Sequence, residues 1–244
     1  MTIDLETLEK NSKSLVDAAL KAGADQCDVV VSNGQSLGIS VREGKIENNG
    51  RAEGDNFSLR VFVGKKVANV TTNQISDLNM IAERAVMMAK VSPEDEFQGL
   101  ASSDEVATQI PELEMLDKTV PSADQLREMA LEAEAAGLGV EGVAKSMGAS
   151  AGWGVSGFVL ATSNGFSGSY ARSGFSASAA MLCGEGENME RDYDFTSAVF
   201  MEDMRAMSEI GASAGERAVR RSNPRQVKSG AFPVLFDKRM AGGM

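Results

Sequence analysis

Small residues dominate the stretch from Gly148 to Gly186, and this feature constrains the fold more than any other. The stretch reads GASAGWGVSGFVLATSNGFSGSYARSGFSASAAMLCGEG. Its larger side chains alternate with glycine, serine and alanine, which predicts long strands that each have one slim face. Glycine inside a strand often means that another backbone approaches closely. The strands between Gly152 and Cys183 are therefore suited either to lining a channel for an extended peptide or to tight packing of strands or subunits.

The rest of the chain alternates between helical and strand patterns. Apolar periodicity predicts a helix that ends near Gly23, one capped by Ser76, one that opens with the Ser122/Gln125 capping box, and one over 204–221. Short strands are expected over 27–31, 37–41, 57–63 and 67–72, separated by turns at 32–34, 43–45, 47–56 and 64–66. These elements predict an α+β fold with antiparallel sheets and packed helices.

Two consecutive domains are expected. Residues 1–95 form an N-terminal α+β domain, and the acidic segment 96–121, which lacks any sustained period, connects it to the next one. Residues 122–225 form a middle domain that carries the Gly/Ser/Ala-rich strands. Residues 226–244 are expected to begin a further, C-terminal domain, because Val234 to Phe236 have the pattern of a strand.

The composition excludes several kinds of chemistry. The chain has no histidine, so a Ser-His-Asp triad, a Cys-His pair and a histidine-based zinc site cannot form within it. A net charge of −11 argues against nucleic-acid binding, which needs clustered lysine and arginine. The two cysteines are too few for a disulfide framework, and the N-terminus MTIDLETLEK is not signal-like, so a cytoplasmic location is expected.

Two motifs in the sequence could indicate a ligand-binding site. Residues 152–157 match the dinucleotide fingerprint G-x-G-x-x-G, but a strand-like run follows them and no acidic residue stands about twenty positions on, so we reject a nucleotide site. Acidic residues cluster in GEGENMERDYDFTSA, yet the spacing lacks the glycine and terminal glutamate of a calcium loop. The acidic cluster is better interpreted as a solvated or partner-facing loop, in which Arg191 favours an ion-paired turn.

Several segments together resemble one known family. They are KAGADQCDVVVSNG, VREGKIENNG, GEGENMERDYDFTSA and SNPRQVKSGAFPVLFDKRMAG. The chain resembles the TldD/PmbA metallopeptidase family over essentially its whole length, and the ERDYDFT segment resembles the PmbA (TldE) branch. The resemblance implies that the chain stops before the C-terminal domain, so no metal ligand of the family can be assigned to any residue here.

The resemblance also implies a function. It predicts a PmbA-like subunit of a cytoplasmic, zinc-dependent peptidase complex that trims unfolded peptides, including precursors of peptide antibiotics and some antitoxins. The zinc is expected in a TldD-like partner subunit, with no cofactor or metal bound by this chain and no catalytic residue in it. The alternative is a non-catalytic binding or scaffold module that docks a partner protein. The residues predicted to face the partner or the peptide are Arg172, Glu190, Arg191, Asp192 and Tyr193.

The segment AFPVLFDKRMAGGM at the end of the sequence carries one structural expectation. Its apolar strand, Val234 to Phe236, would lack neighbours within this chain. We therefore expect this segment either to be poorly ordered or to pair with another molecule, rather than to pack within one chain.

Overall fold

A computed structural model of the protein describes residues 3–74, 77–102 and 104–243. Its centre is a sheet of six antiparallel strands in the order β3-β2-β1-β4-β5-β6. The strands are β1 (Gln26–Arg42), β2 (Lys45–Val63), β3 (Lys66–Thr72), β4 (Val143–Thr162), β5 (Ser167–Cys183) and β6 (Glu190–Ala198). The helices are α1 (Leu5–Lys21), α2 (Leu78–Val91), α3 (Ala123–Leu138) and α4 (Met207–Arg220).

The predicted α+β class is confirmed. The strands expected in two separate domains lie in one sheet, because β1 pairs with β2 on one side and with β4 on the other. Residues 96–121, called the connector below, contain no regular helix or strand in their described part. The positions of the two domain boundaries stay a prediction.

The helix ends follow the local sequence. Gly23 has a positive φ just after α1, as its predicted role at the helix end requires. The capping box of Ser122 and Gln125 is present at the start of α3. The predicted cap Ser76 lies outside the described residues, and Asp77 accepts a hydrogen bond from the backbone N–H of Met80 at the start of α2.

Two predicted turns and one predicted loop are wrong. Residues 32–34 lie inside β1 and residues 47–56 lie inside β2, because each segment is paired by a neighbouring strand in a continuous antiparallel ladder. The acidic loop is wrong in the same way, since residues 190–198 form β6 against β5. Turn-forming residues are thus tolerated within these strands, where pairing to the neighbouring strand decides the backbone conformation.

All four helices cover one face of the sheet. Alternate residues of β1, among them Val29 and Ile39, point to this helix-covered face. Under α1 and α2 they pack with Leu59 and Val159, and under α3 and α4 they pack with Ala151 and Ala177. The other face carries no helix of the described residues and is called the open face below.

Candidate functional site

Small side chains cross the middle of the open face in two adjacent rows. In one row Gly38 lies opposite Gly50 and Gly152, and in the next Ser36 lies opposite Ala52 and Gly154. The rows continue on β5, where Ser176 pairs with Gly152 and Gly174 pairs with Gly154. We call this surface the small-residue face; its members are Ser36, Gly38, Gly50, Ala52, Gly152, Gly154, Gly174 and Ser176.

The small-residue face is uncovered in the described structure. A Cβ atom placed on Gly38, Gly50 or Gly174 would meet no other heavy atom within 4 Å. Two shallow depressions lie along this surface, and Arg172 stands at the rim of one of them. Because no side chain larger than serine projects from the middle of the surface, the sheet itself forms a shallow floor that an extended chain could lie against.

One end of the open face is covered by the connector. There Leu100 and Val106 of the connector face Val30 and Leu160 of the sheet across a shared pocket. The side-chain amide of Asn164 donates a hydrogen bond of 2.9 Å to the carbonyl of Ala101. The connector thus leaves the small-residue face free and limits the open surface at one end.

A buried serine fixes the connector as it passes the edge of β5. The backbone N–H of Ser173 donates to the carbonyl of Met115 at 2.9 Å, and the Ser173 hydroxyl accepts from the N–H of Asp117 at 2.7 Å. Asp117 in turn accepts from the N–H of Met201 at 2.8 Å, and this hydrogen bond lowers the pKa of its carboxyl group. Nothing in the sequence alone marked Ser173, because its role depends on three segments that meet only in the fold.

The predicted site residues divide between two places. Arg172 lies opposite Ser156 on the open face, whereas Tyr193 lies opposite Ala180, eight positions further along β5. At about 3.3 Å per residue this separates Arg172 from Tyr193 by about 26 Å, and the other predicted residues lie farther along the strand. The structure therefore brings together Glu190, Arg191, Asp192 and Tyr193, and places Arg172 beside the small-residue face instead.

The acidic strand β6 is neutralised by arginines from distant segments. Asp192 meets Arg221 at 3.3 Å and Arg239 at 3.2 Å, and Asp194 meets Arg205 at 3.1 Å. These three arginines were not singled out in the sequence, and Arg191, which was, is exposed on the open face. Burial alone would raise the pKa of Asp192, but the N–H of Tyr193 and the two guanidinium groups outweigh it and hold that pKa below its usual value.

Aromatic side chains lie on the other side of the same strand. Tyr193 and Phe195 stack with ring centroids 6.2 Å apart, and each side chain is nearly half exposed. The guanidinium of Arg239 lies 5.2 Å from the centre of the Tyr193 ring. This end of the sheet therefore offers an exposed aromatic patch flanked by charge.

The described residues do not fit a metal site. They contain no group of three or more Cys, Asp or Glu side chains arranged to hold a metal ion, and the sequence has no histidine. The two acidic residues on the helix-covered side of β6, Asp192 and Asp194, are engaged by arginine guanidinium groups, which compete with a cation for the same oxygens.

The segment that was expected to form a strand near the end of the sequence has no regular structure. Val234 and Phe236 are well exposed and Leu235 is 99% exposed. Its strand pattern is thus not satisfied within the chain. Among the helices of the described residues, none is both long and apolar enough to cross a membrane.

Two models of one family match the chain. Residues 27–89 match the model described as PmbA/TldA metallopeptidase domain 1, and residues 117–222 match the model of the PmbA/TldA metallopeptidase central domain. Together these matches cover more than half of the chain.

Two curated proteins extend the similarity. The metalloprotease PmbA homolog of Haemophilus influenzae is 29% identical over 232 residues, which are 94% of this chain and 51% of that protein. The metalloprotease PmbA of Escherichia coli O157:H7 is 25% identical over 98% of this chain and 55% of that protein. The chain thus spans about half the length of the curated relatives it matches.

Solved structures share the fold and complete the comparison. A crystal structure of a candidate modulator of DNA gyrase from Bacteroides thetaiotaomicron superposes with a TM-score of 0.85 at 25% identity, over 94% of this chain and 53% of that one. TldE from Thermococcus kodakarensis has a TM-score of 0.65 at 18% identity, over 86% of this chain and 47% of that one, and shows the fold alone. From the two matched family models and the curated relatives we conclude that the chain belongs to the PmbA/TldD metallopeptidase family and is PmbA/TldE-like.

Proposed function

We propose that this chain is a subunit of a zinc-dependent peptidase complex that processes unfolded peptides in the cytoplasm. In this proposal a TldD-like partner subunit carries the zinc, and the present chain helps to hold the peptide. The metalloprotease names of its relatives support the reaction class. The resemblance to the PmbA (TldE) branch is the reason for assigning the metal to a partner.

The small-residue face is the observation that carries the proposal. An unfolded peptide presents an extended backbone and side chains of every size, so a surface that receives many such peptides must not select strongly among side chains. A floor of glycine, serine and alanine meets this need, because it makes few contacts that depend on the residue placed above it. Arg172 at its rim offers a charged donor to peptide carbonyl or carboxylate groups.

A second candidate function rests on β6. The exposed Tyr193 and Phe195, with Arg239 beside them, form the kind of aromatic and arginine surface that is enriched in protein interfaces. This favours a non-catalytic binding or scaffold module that docks a partner protein. The two functions differ in whether peptide cleavage needs this chain.

A reconstitution assay separates them. Purified chain is mixed with a TldD-like subunit and an unstructured peptide, and cleavage is followed with and without a chelator. We expect cleavage that requires both chains and stops when the chelator is added. Cleavage by the partner alone, unchanged when this chain is added, would refute the peptidase proposal and leave the docking function.

Substitutions on the small-residue face refine the same assay. Gly38→Val and Gly174→Val place bulk on the floor where open space is available, so the fold should tolerate them. Thr71→Val, on β3 and away from the small-residue face, is the matched control. We expect the glycine variants to lose most of the cleavage by the complex while the control retains it, and equal activity in all three would contradict a role for this surface.

A further inference from the structure

The outer edge of β2 has a long unpaired segment. Strand β3 pairs with β2 only from Phe57 to Val63, and a bulge interrupts β2 between Ile46 and Asn48. Between these limits, residues 48–56 pair with β1 on one side, and no described residue pairs with them on the other. Their backbone N–H and C=O groups on that side are available to another strand.

The sequence of this edge, NNGRAEGDN, is complementary to itself when it is reversed. If a second copy runs antiparallel with Ala52 opposite Ala52, then Arg51 of each copy faces Glu53 of the other. In the same register Gly50 faces Gly54, Asn49 faces Asp55 and Asn48 faces Asn56. Opposite charges directly across a strand pair are stabilising, so this register gains two ion pairs by symmetry.

Other registers of the same edge do not share this property. A register centred on Arg51 places two arginines against each other, and one centred on Glu53 places two glutamates against each other. Charged residues on an edge usually prevent pairing, but here their spacing disfavours these two neighbouring registers and favours the one centred on Ala52. Within one chain Arg51 and Glu53 already lie 3.6 Å apart, and both are exposed, so exchanging partners costs little.

We propose that a second copy of this chain adds to the β2 edge at residues 48–56, antiparallel and with Ala52 on the two-fold axis, so that one sheet continues across both copies. A symmetric pair of this kind is the commonest arrangement among homo-oligomers. The slim residues Gly50, Ala52 and Gly54 keep the open face of the junction clear of large side chains, while Arg51 and Glu53 project from the opposite face. The proposal does not depend on the proposed peptidase function.

Disulfide trapping tests the register. Both native cysteines are buried, so a single introduced cysteine reports on its own position. Ala52→Cys should give a disulfide-linked dimer under mild oxidation, because the two cysteines face each other across the two-fold axis. Gly50→Cys alone should not, since its two copies would lie about 13 Å apart, but a mixture of Gly50→Cys and Gly54→Cys should cross-link.

Sedimentation equilibrium tests the charges. Arg51→Glu should weaken dimerisation by about tenfold, because it replaces two attractive pairs with two repulsive ones. The double variant Arg51→Glu/Glu53→Arg should restore it. The proposal is overturned by a wild-type chain that stays monomeric at about 1 mM, by equal cross-linking of Ala52→Cys and Gly50→Cys, or by a dimer that Arg51→Glu leaves unchanged.

Discussion

The two faces of the one sheet differ in almost every physical respect. On the helix-covered face, alternate strand residues such as Val29 and Met181 are fully buried under four helices. On the open face, glycines such as Gly38 and Gly174 have nothing above them among the described residues. The same strands supply both faces, since successive side chains point to opposite sides.

This difference shows that one strand can stabilise the fold through one face and present a functional surface on the other. Burial of apolar surface occurs on the helix-covered side, at roughly 25 cal/mol for each Å² removed from water. The open side contributes little to that burial, so its residues are free to meet a ligand or a partner. The following predictions test this division, from the largest expected effect to the smallest.

The same glycine-to-alanine substitution should be costly in the helical layer and nearly neutral on the open face. Gly211 lies where α4 crosses α3, and a Cβ placed there would come within 1.9 Å of the carbonyl oxygen of Ala133. We expect Gly211→Ala to lower the free energy of unfolding by about 3 kcal/mol, because two helices must move apart. Gly174→Ala should change it by less than about 0.5 kcal/mol. Urea unfolding of both variants measures these free energies. Equal losses of stability in the two variants would refute the division of roles between the two faces.

A buried carboxylate should be the next most sensitive group. Glu134 is 2% exposed and accepts hydrogen bonds from the N–H groups of Glu43 at 2.9 Å and Gly44 at 2.8 Å, and another from Ser146. It thereby ties α3 to the turn between β1 and β2. Glu134→Gln should cost about 2 kcal/mol, because an amide N–H₂ would face a backbone donor.

The control for this prediction lies two residues away. Glu132→Gln alters an exposed side chain on the same helix and should stay within about 0.5 kcal/mol of the wild type. Faster amide hydrogen exchange at Glu43 and Gly44 in Glu134→Gln alone would locate the loss at the turn. A wild-type exchange pattern in that variant would contradict the assignment.

Acid should destabilise the β6 region through its carboxylates. Burial alone would raise the pKa of Asp194, but Ser213, the N–H of Phe195 and Arg205 outweigh it and lower that pKa, and the pKa of Asp192 is lowered as well. A carboxyl group with a lowered folded-state pKa stabilises the fold above its unfolded value of about 3.9, and this contribution is lost as the pH falls through the folded-state value. Stability should therefore fall below pH 4 or so.

The variant Asp194→Asn tests whether this carboxyl group causes the loss of stability in acid. It removes one of the groups that must take up a proton, so its unfolding free energy should change less between pH 5 and pH 2 than that of the wild type. Urea unfolding at a series of pH values gives both curves. Parallel curves would show that the β6 ion pairs do not cause the acid sensitivity.

The smallest effect is expected on the exposed edge. Arg51→Glu breaks an ion pair whose side chains are both largely exposed, and such pairs contribute about 0–1 kcal/mol. The unfolding free energy of the monomer, measured at low protein concentration, should therefore stay within about 0.5 kcal/mol of the wild type. A larger loss would mean that Arg51 supports the monomer and would make its effect on dimerisation ambiguous.

Much of the fold could be predicted from local chemistry. The helices, the capping box at Ser122 and the turns at 43–45 and 64–66 follow from periodicity and turn residues, and the structure confirms them. The turns expected at 32–34 and 47–56 were wrong. The turn-type residues there occupy every second position, as they do in a strand that has one slim face. Gly34, Ser36 and Gly38, like Gly50, Ala52 and Gly54, fall on the open face, and that alternation was the signal that could have identified them.

The functional surfaces were harder to predict because they form between distant segments. The Gly/Ser/Ala-rich strands pointed to a slim surface, but half of the small-residue face comes from β1 and β2. The arginines that neutralise β6 lie at positions 205, 221 and 239, and no spacing in the sequence links them to Asp192 or Asp194. Such pairings are set by tertiary packing.

Cysteine labelling of the open face tests the central claim most directly. Because Cys27 and Cys183 are buried, Ser36→Cys would report on the small-residue face and Thr71→Cys on a distant exposed strand. With a TldD-like subunit and an unstructured peptide present, we predict that labelling of Ser36→Cys slows sharply while that of Thr71→Cys does not change. Unchanged labelling of Ser36→Cys in a complex that cleaves the peptide would contradict the claim that this face receives the substrate.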